Sequence, residues 1–250
     1  MGYVIAMAGK GGVGKTTIAA LIVRILKEKK LGSILAIDAD PNSNLAEALG
    51  AAPKSTIGQI VNDLAANPQK VPAGMGKDNF IEYEIQTAIA EGDGFDVLTM
   101  GRPEGPGCYC YVNNVLRNII GKLVKDYDYI VVDNEAGLEH LSRRTTRSAD
   151  AMVVVSSPAV VGLKAAKRIV ELAGELDIKI KKSFLIVNCF DRDVEKDKIR
   201  NMKLEYLGFL PQDKEIESAG LNGGSLMELS GDAVSLQGLY RLGEKIWQRN

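Results

Sequence analysis

The chain has 250 residues, of which 46% are hydrophobic and 25% are charged, and its formal net charge is -1. A chain of this length can bury the core of one α/β domain, so a single domain over residues 1–250 is predicted. The balanced charge gives no electrostatic footprint for nucleic acid or an anionic membrane, and no apolar run is long enough to span a bilayer. We therefore expect a cytoplasmic protein with no nucleic acid and no membrane among its partners.

Short β-branched apolar runs alternate with helical segments along the chain. The predicted strands are residues 3–7, 33–37, 95–98, 129–132, 151–155 and 183–187. The predicted helices are residues 15–29, 112–125, 160–176 and 236–249. Residues 51–94 and 204–231 are rich in Gly, Pro and Asn and are predicted as loops with short helices. The alternation predicts an α/β fold, with a mostly parallel central sheet and helices on both faces.

The first predicted strand leads into a glycine-rich loop at residues 9–17, Gly-Lys-Gly-Gly-Val-Gly-Lys-Thr-Thr, which fits the phosphate-binding motif G-x-x-x-x-G-K-[ST]. Glycines let backbone N–H groups turn toward phosphate oxygens, and the positive end of the next helix attracts the same charge. Lys15 is predicted to bridge the terminal phosphates and Thr16 to ligate Mg²⁺. The predicted nucleotide contacts in this loop are Gly11, Gly12, Val13, Gly14, Lys15, Thr16 and Thr17.

Lys10 follows the first glycine of the loop, where an ordinary phosphate-binding loop does not require lysine. With this lysine the loop resembles the deviant Walker A motif of the family that contains the MinD, ParA and nitrogenase-iron-protein ATPases. The resemblance implies a P-loop NTPase fold, Mg²⁺-dependent hydrolysis of ATP to ADP and phosphate, and a homodimer promoted by ATP. It also implies a catalytic role for Lys10, which would reach the partner's phosphates as an arginine finger does.

Acidic residues follow two of the predicted strands. Asp38 and Asp40 alternate after the second strand, so both side chains are predicted to point toward the same crevice. Asp133 ends a further apolar strand, an arrangement by which P-loop proteins hold Mg²⁺. The resemblance assigns Asp38 to the Mg²⁺ shell and Asp40, as a catalytic residue, to orientation of the attacking water. Gly137 is predicted to place its N–H near the γ-phosphate, whereas Glu135 departs from the Pro-Ala-Gly usual in the family.

The nucleotide base is predicted to lie beside two further segments. Asn188 follows the strand at residues 183–187, where the family uses an asparagine to bind adenine. An amide offers both a donor and an acceptor, as the N6 and N7 positions of adenine require, so ATP is favoured over GTP. The turn at Leu210 and Pro211 is predicted to lie next to the base.

Cys108 and Cys110 form a Cys-x-Cys pair after a segment that cannot be a regular helix, Pro-Glu-Gly-Pro-Gly. Extended or turn backbone is therefore predicted at the two cysteines, with both thiols on one side. Two thiolates fill half of a tetrahedral or square-planar shell, and a two-fold dimer would supply the other half. A Ni²⁺ or Zn²⁺ site that bridges a homodimer is predicted, and two reduced cysteines without a ligand are the alternative.

The loop at residues 9–17, the Cys-Tyr-Cys segment with its following helix, and the run after Asp133 together resemble the CooC and AcsF group of accessory ATPases. This resemblance implies ATP-dependent nickel insertion, with carbon monoxide dehydrogenase or acetyl-CoA synthase as the target. A MinD- or ParA-like positioning ATPase and an iron–sulfur redox ATPase are the alternatives. His140 is expected on a helix surface, and Cys189 is expected to be buried and inert.

Overall fold

The computed structural model describes residues 2–102, 108–135, 148–200 and 202–249, except for the side chains of residues 108–110 and 196. The strands of this part of the chain are β1 (Tyr3–Gly9), β2 (Ile34–Ala39), β3 (Ala90–Glu91), β4 (Asp96–Thr99), β5 (Tyr129–Asn134), β6 (Ser148–Ser156), β7 (Lys179–Val187) and β8 (Glu205–Phe209). Its α-helices are α1 (Lys15–Glu28), α2 (Asn44–Ala48), α3 (Ile57–Ala66), α4 (Lys77–Ala88), α5 (Cys108–Leu123), α6 (Val160–Glu175), α7 (Lys196–Ile199), α8 (Lys214–Asn222), α9 (Val234–Leu242) and α10 (Glu244–Trp247).

Within the described residues, eight strands form one sheet in the order β3-β4-β2-β5-β1-β6-β7-β8. Neighbouring strands are parallel, except for the antiparallel pair β3 and β4. Every residue of β1, β2 and β5 is buried. Because helices cover both faces of a parallel sheet, its central strands are apolar along most of their length. The predicted α/β fold with a mostly parallel sheet is confirmed.

Alternate residues of the central strands point to opposite faces of the sheet. Ile5 and Met7 of β1 belong to the core on the face covered by α1, α9 and α10. Val4 and Ala6 pack on the other face against α3, α4 and α5, and Ala8 packs there with α6. Within the described ranges, no helix has both the length and the apolar character that crossing a bilayer requires.

The two segments predicted as loops with short helices contain more regular structure than expected. In the first of them, α3 has 10 residues and begins with a capping box, in which Thr56 and Gln59 exchange side-chain-to-backbone hydrogen bonds. The same segment contains α4, with 12 residues. β3 and β8 add a short strand at each end of the sheet, and strands this short give little periodicity in the sequence.

The predicted helix at residues 236–249 is two helices in the structure. α9 ends at Leu242 and α10 begins at Glu244, with Gly243 between them. A Cβ at Gly243 would lie 2.3 Å from the indole ring of Trp247. The glycine therefore lets the ring pack against the backbone, and Ile246 and Trp247 are buried as a result.

The predicted extended backbone at Cys108 and Cys110 is wrong, because α5 begins at Cys108. The predicted helix began at residue 112. Buried residues at helical spacing, including Val112, Leu116 and Ile120, pack α5 on the sheet, and the helix continues for one turn before the first of them. Strand alternation, which placed both thiols on one side, does not apply to helical backbone.

Candidate functional site

The loop between β1 and α1 has a backbone that requires glycine at defined positions. Gly9 has a φ of 150°, and a Cβ there would lie 2.3 Å from the carbonyl oxygen of Val155. Gly14 has a φ of 91°, and a Cβ there would lie 2.3 Å from Nδ2 of Asn188. Both φ values lie in the region that L side chains rarely adopt. The glycines of the motif therefore permit a tight loop that contacts the neighbouring strands directly.

The N-terminus of α1 carries the charge and the free donors that an anion needs. Among the described residues, no side chain caps the first turn of α1, so its N–H groups are available to phosphate oxygens. Lys15 is only 7% exposed, and its Nζ donates to the carbonyl oxygen of Lys10 at 3.3 Å. Burial lowers the pKa of Lys15, whereas the negative charges of Asp133, Asp40 and Glu135 act to raise it. These carboxylates and the buried ammonium group thus surround one site.

Thr16 and Asp133 are joined by the hydrogen bond that links α1 to the end of β5. The hydroxyl of Thr16 donates to Oδ2 of Asp133 at 2.5 Å. The other oxygen of this carboxyl, Oδ1, is buried and has no hydrogen-bond partner in the described part of the chain. Burial raises the pKa of Asp133 to about 6, while the hydrogen bond from Thr16 and the charge of Lys15 oppose the rise. A hydroxyl beside a carboxylate with an unsatisfied oxygen fits Mg²⁺, which prefers oxygen ligands.

Asp38 lies next to Asp133 in the sheet, as its register partner in β2. Its two carboxyl oxygens accept hydrogen bonds from the backbone N–H groups of Leu45, at 2.7 Å, and Asp40, at 3.1 Å. Burial raises the pKa of Asp38 to about 7, although these two donors favour the charged form. Asp38 therefore fixes the loop after β2 to the sheet, one strand away from the Thr16–Asp133 pair.

Asp40 is half-buried in the loop that Asp38 fixes. Its Oδ1 accepts hydrogen bonds from the backbone N–H and the side-chain amide of Asn42, at 2.9 Å and 3.0 Å. The negative charge of Asp40 raises the pKa of Lys15 and also raises the pKa of Asp133. The structure thus brings Asp40 to the same site as the two buried carboxyls, as the sequence indicates, but holds it in a turn at the rim.

The residues predicted to contact the base differ in their surroundings. Asn188 lies against the phosphate-binding loop, and its Nδ2 donates to the carbonyl oxygen of Val13 at 2.9 Å. Leu210 is 1% exposed and packs in the core. The carbonyl oxygen of Pro211 accepts a hydrogen bond from the hydroxyl of Ser235 at 3.1 Å. Asn188 therefore joins the nucleotide loop, and contact of these residues with adenine stays a prediction.

Several predicted residues lie outside the description or differ from expectation. Gly137 and His140 lie outside the described residues, as do the side chains of Cys108 and Cys110. Lys10, Gly11 and Gly12 are exposed at the tip of the loop, and Val13 and Thr17 are half-buried.

The prediction of a buried Cys189 is wrong, because the residue is exposed. It lies in the turn after β7 and has a φ of 55°, in the left-handed region.

Thr99, the register partner of Asp38 in β4, was not predicted as a site residue. Its side chain is fully buried. The available signal was a hydroxyl residue directly after the apolar run predicted as a strand, the same placement that identified Asp38 and Asp133.

No group of three or more His, Cys, Asp or Glu side chains that could hold a metal ion occurs among the described residues.

Comparisons with known proteins identify the family of this chain. The profile of the CobQ/CobB/MinD/ParA nucleotide binding domain family matches residues 4–226. An uncharacterized ATP-binding protein of Methanocaldococcus jannaschii is 43% identical over 248 residues, with 97% of this chain and 98% of that protein covered. The carbon monoxide dehydrogenase accessory protein CooC of Rhodospirillum rubrum is 30% identical over 239 residues, with 90% of each chain covered.

The fold is also found in a solved structure. The septum site-determining protein MinD of Pyrococcus horikoshii OT3, complexed with Mg-ADP, aligns with a TM-score of 0.71 at 20% identity, covering 98% of this chain and 96% of that chain. The chain therefore belongs to the CobQ/CobB/MinD/ParA nucleotide binding domain family, in which it is related to the MinD and ParA ATPases.

Proposed function

We propose that this protein is a Mg²⁺-dependent ATPase whose hydrolysis of ATP to ADP and phosphate drives a conformational switch. The observation that carries the proposal is the Thr16–Asp133 hydrogen bond, beside the buried Lys15 at the start of α1. The family membership and the ATP-binding relative of Methanocaldococcus jannaschii support the choice of nucleotide.

Each polar residue of the site has a proposed task. The N–H groups of residues 11–17 and the ammonium of Lys15 bind the phosphates. The oxygens of Thr16, Asp38 and Asp133 would hold Mg²⁺, which when bound neutralises charge on the terminal phosphates. The half-buried Asp40 orients the attacking water. A solved MinD complex with Mg-ADP supports this choice of cofactors.

Lys10 has a proposed task in a homodimer. It lies at the exposed tip of the loop, and its carbonyl oxygen holds the Nζ of Lys15. An exposed lysine at this point can reach the phosphates of a second copy, where its charge would stabilise the transition state. ATP that binds the dimer more tightly than the monomer would then couple nucleotide binding to association.

The finer function that we propose is delivery of nickel to a nickel enzyme, carbon monoxide dehydrogenase or acetyl-CoA synthase. Nickel is then the cargo, and Cys108 and Cys110 are its proposed ligands, with a second pair from the partner subunit. The 30% identity to the CooC protein of Rhodospirillum rubrum supports this proposal. The cysteines begin α5, which follows the carboxyl end of β4, so a rearrangement of the nucleotide site at that edge of the sheet can reach them.

Equilibrium metal titration with native mass determination tests the nickel proposal. The purified protein is titrated with Ni²⁺ and with Zn²⁺, with and without Mg·ATP. We expect one metal ion per dimer and no tight site in the Cys110→Ser variant. The matched control is Cys189→Ser, because this cysteine is exposed and lies outside the pair. One metal ion per monomer would reject the bridging site, and tight binding in Cys110→Ser would reject the ligand assignment.

A second candidate function is spatial positioning of the MinD and ParA type, since the chain shares its family and its fold with MinD. This function requires ATP turnover that responds to a surface or a polymer. Stimulation of the ATPase rate by anionic lipid vesicles or by duplex DNA would favour it over nickel delivery. An unchanged rate with both, together with a metal site that depends on Cys110, would favour nickel delivery.

A further inference from the structure

A row of three polar side chains crosses the sheet at the proposed Mg²⁺ site, and two of the three are proposed ligands of the ion. Thr99, Asp38 and Asp133 are register partners in β4, β2 and β5, and their relative exposures are 0%, 0% and 1%. Each side chain points to the face covered by α1. This follows because the residues two positions earlier in the three strands pack in the core on that face: Val97, Ala36 and Val131.

The hydroxyl of Thr99 is unsatisfied in this row. It is buried, and it has no hydrogen-bond partner in the described part of the chain. A buried hydroxyl without a partner destabilises a protein, whereas valine has the same shape and no such penalty. At the other end of the row, Oδ1 of Asp133 is buried and unsatisfied as well. Each end of the row thus has a buried oxygen atom without a hydrogen-bond partner in the described part of the chain.

Asp38 can accept a further hydrogen bond. Its two oxygens each accept one backbone N–H, from Asp40 and Leu45, and a carboxylate offers about four acceptor positions. Neighbouring strands are about 4.8 Å apart, so Thr99 lies directly beside this carboxyl. The hydroxyl and the carboxylate therefore belong to neighbouring residues on the same face of the sheet.

We propose that Thr99 is a positioning residue, whose hydroxyl donates to the carboxylate of Asp38 in the nucleotide-bound protein and holds it toward the Thr16–Asp133 pair. Thr99 acts through Asp38 and does not contact the ligand itself. The inference rests on the proposed function, because the hydroxyl gains its partner only if the site holds Mg²⁺ and nucleotide. Removing such an outer hydrogen bond typically lowers metal affinity by about 10- to 100-fold.

The test is calorimetric titration of Mg²⁺ into ADP-saturated protein, for the wild type, Thr99→Val and Thr99→Ser. We expect Thr99→Val to weaken Mg²⁺ binding by about 10-fold and Thr99→Ser to stay within about twofold of the wild type, because serine keeps the donor. Thermal melting without metal or nucleotide gives the second readout. In that state Thr99→Val should melt at the same temperature as the wild type or higher, because the unsatisfied hydroxyl is gone.

The matched control is Thr87→Val, which makes the same chemical change on the exposed side of α4, where the hydroxyl donates to the backbone carbonyl oxygen of Glu84. Equal Mg²⁺ affinity in Thr99→Val and the wild type would overturn the role of Thr99. Weak binding in both Thr99→Val and Thr99→Ser would also overturn it, since packing would then explain the loss. If Thr99→Val does not fold, Thr99→Cys replaces it, and the same loss of about 10-fold in Mg²⁺ affinity is expected because a thiol is a weak donor; an unchanged affinity would overturn the role of Thr99. A wild type without any Mg²⁺ response would overturn the proposed function itself.

Discussion

Asp38 and Asp133 are register partners in the adjacent parallel strands β2 and β5, and both carboxyl groups are withdrawn from solvent. Burial raises the pKa of Asp38 to about 7 and that of Asp133 to about 6. A charge on Asp133 opposes a charge on Asp38 as well. The sheet thus holds two carboxyls whose ionisation is costly, and a bound cation would compensate that cost.

Asp133→Asn should stabilise the protein at pH 8 in the absence of metal and nucleotide. A carboxyl whose folded pKa lies above its unfolded pKa destabilises the fold where it must ionise, so stability falls as the pH rises from about 4 through about 6. The variant avoids this cost, and we expect a gain of about 1–2 kcal/mol at pH 8 that shrinks at pH 5. Urea denaturation at the two pH values measures it.

The control for this variant is Asp93→Asn, since Asp93 is exposed and pairs with Lys27 at 2.7 Å. Its pKa is lowered by that lysine, so no stabilisation at pH 8 is expected. An Asp133→Asn protein that is less stable than the wild type by the same amount at both pH values would contradict a buried, costly charge at this position.

Lys10→Ala should bind ATP with nearly the affinity of the wild type, but lose most of its turnover and its ATP-driven dimerisation. The reason is that Lys10 is exposed and its proposed target lies in the partner subunit. Loss of a transition-state charge of this kind lowers turnover by about 10³-fold or more. Steady-state phosphate release and sedimentation with Mg·ATP measure the two effects. Lys54→Ala, which alters another exposed lysine, is the control. Turnover unchanged in Lys10→Ala would remove the cross-subunit role.

Gly14→Ala should destabilise the fold more than Gly74→Ala does. Both glycines have positive φ, 91° and 87°, so both variants carry backbone strain of about 1 kcal/mol or more. Only at Gly14 would the new Cβ meet another group, Nδ2 of Asn188 at 2.3 Å, whereas nothing lies within 4 Å at Gly74. We expect Gly14→Ala to cost about 1–3 kcal/mol more, by urea denaturation without nucleotide. Equal losses would show that the loop moves away from Asn188 freely.

Asn188→Ala should lower the affinity for ATP more than the affinity for GTP. The variant loses the hydrogen bond to Val13, which supports the loop and affects both nucleotides. It also loses the predicted contact with adenine, which affects ATP alone. Competition binding with a fluorescent nucleotide measures both constants, and Asn222→Ala, which loses a hydrogen bond to Ser218 on the exposed α8, is the control. A proportional loss for ATP and GTP would mean that the amide only supports the loop.

The sequence was most informative where a motif is local. The loop at residues 9–17 could be predicted because the glycines, Lys15 and Thr16 are consecutive and flanked by a strand and a helix. Asp38 and Asp133 could be placed at strand ends for a similar reason. That they face each other depends on the strand order, in which β5 lies between β2 and β1, and no local pattern specifies that order.

Other features depend on contacts between distant parts of the chain. The Trp247 ring packs against the backbone at Gly243, where the helix breaks. The spacing of the buried residues in α9 and α10 fits one unbroken helix, so the sequence pattern does not indicate the break. The exposure of Cys189 follows from a left-handed turn after β7, which the apolar run before it does not indicate. The hydroxyl of Thr99 is buried without a hydrogen-bond partner in the described part of the chain, and this property depends on neighbouring strands that no local sequence pattern specifies.

The Thr16–Asp133 pair is the proposed Mg²⁺ site of an ATP pocket. Calorimetric titration of ATP with and without Mg²⁺, for the wild type and Thr16→Val, tests it most directly. We expect Mg²⁺ to strengthen ATP binding by about 10-fold or more in the wild type and to have little effect in Thr16→Val. An equal Mg²⁺ effect in both proteins, or no ATP binding by the wild type, would contradict the claim.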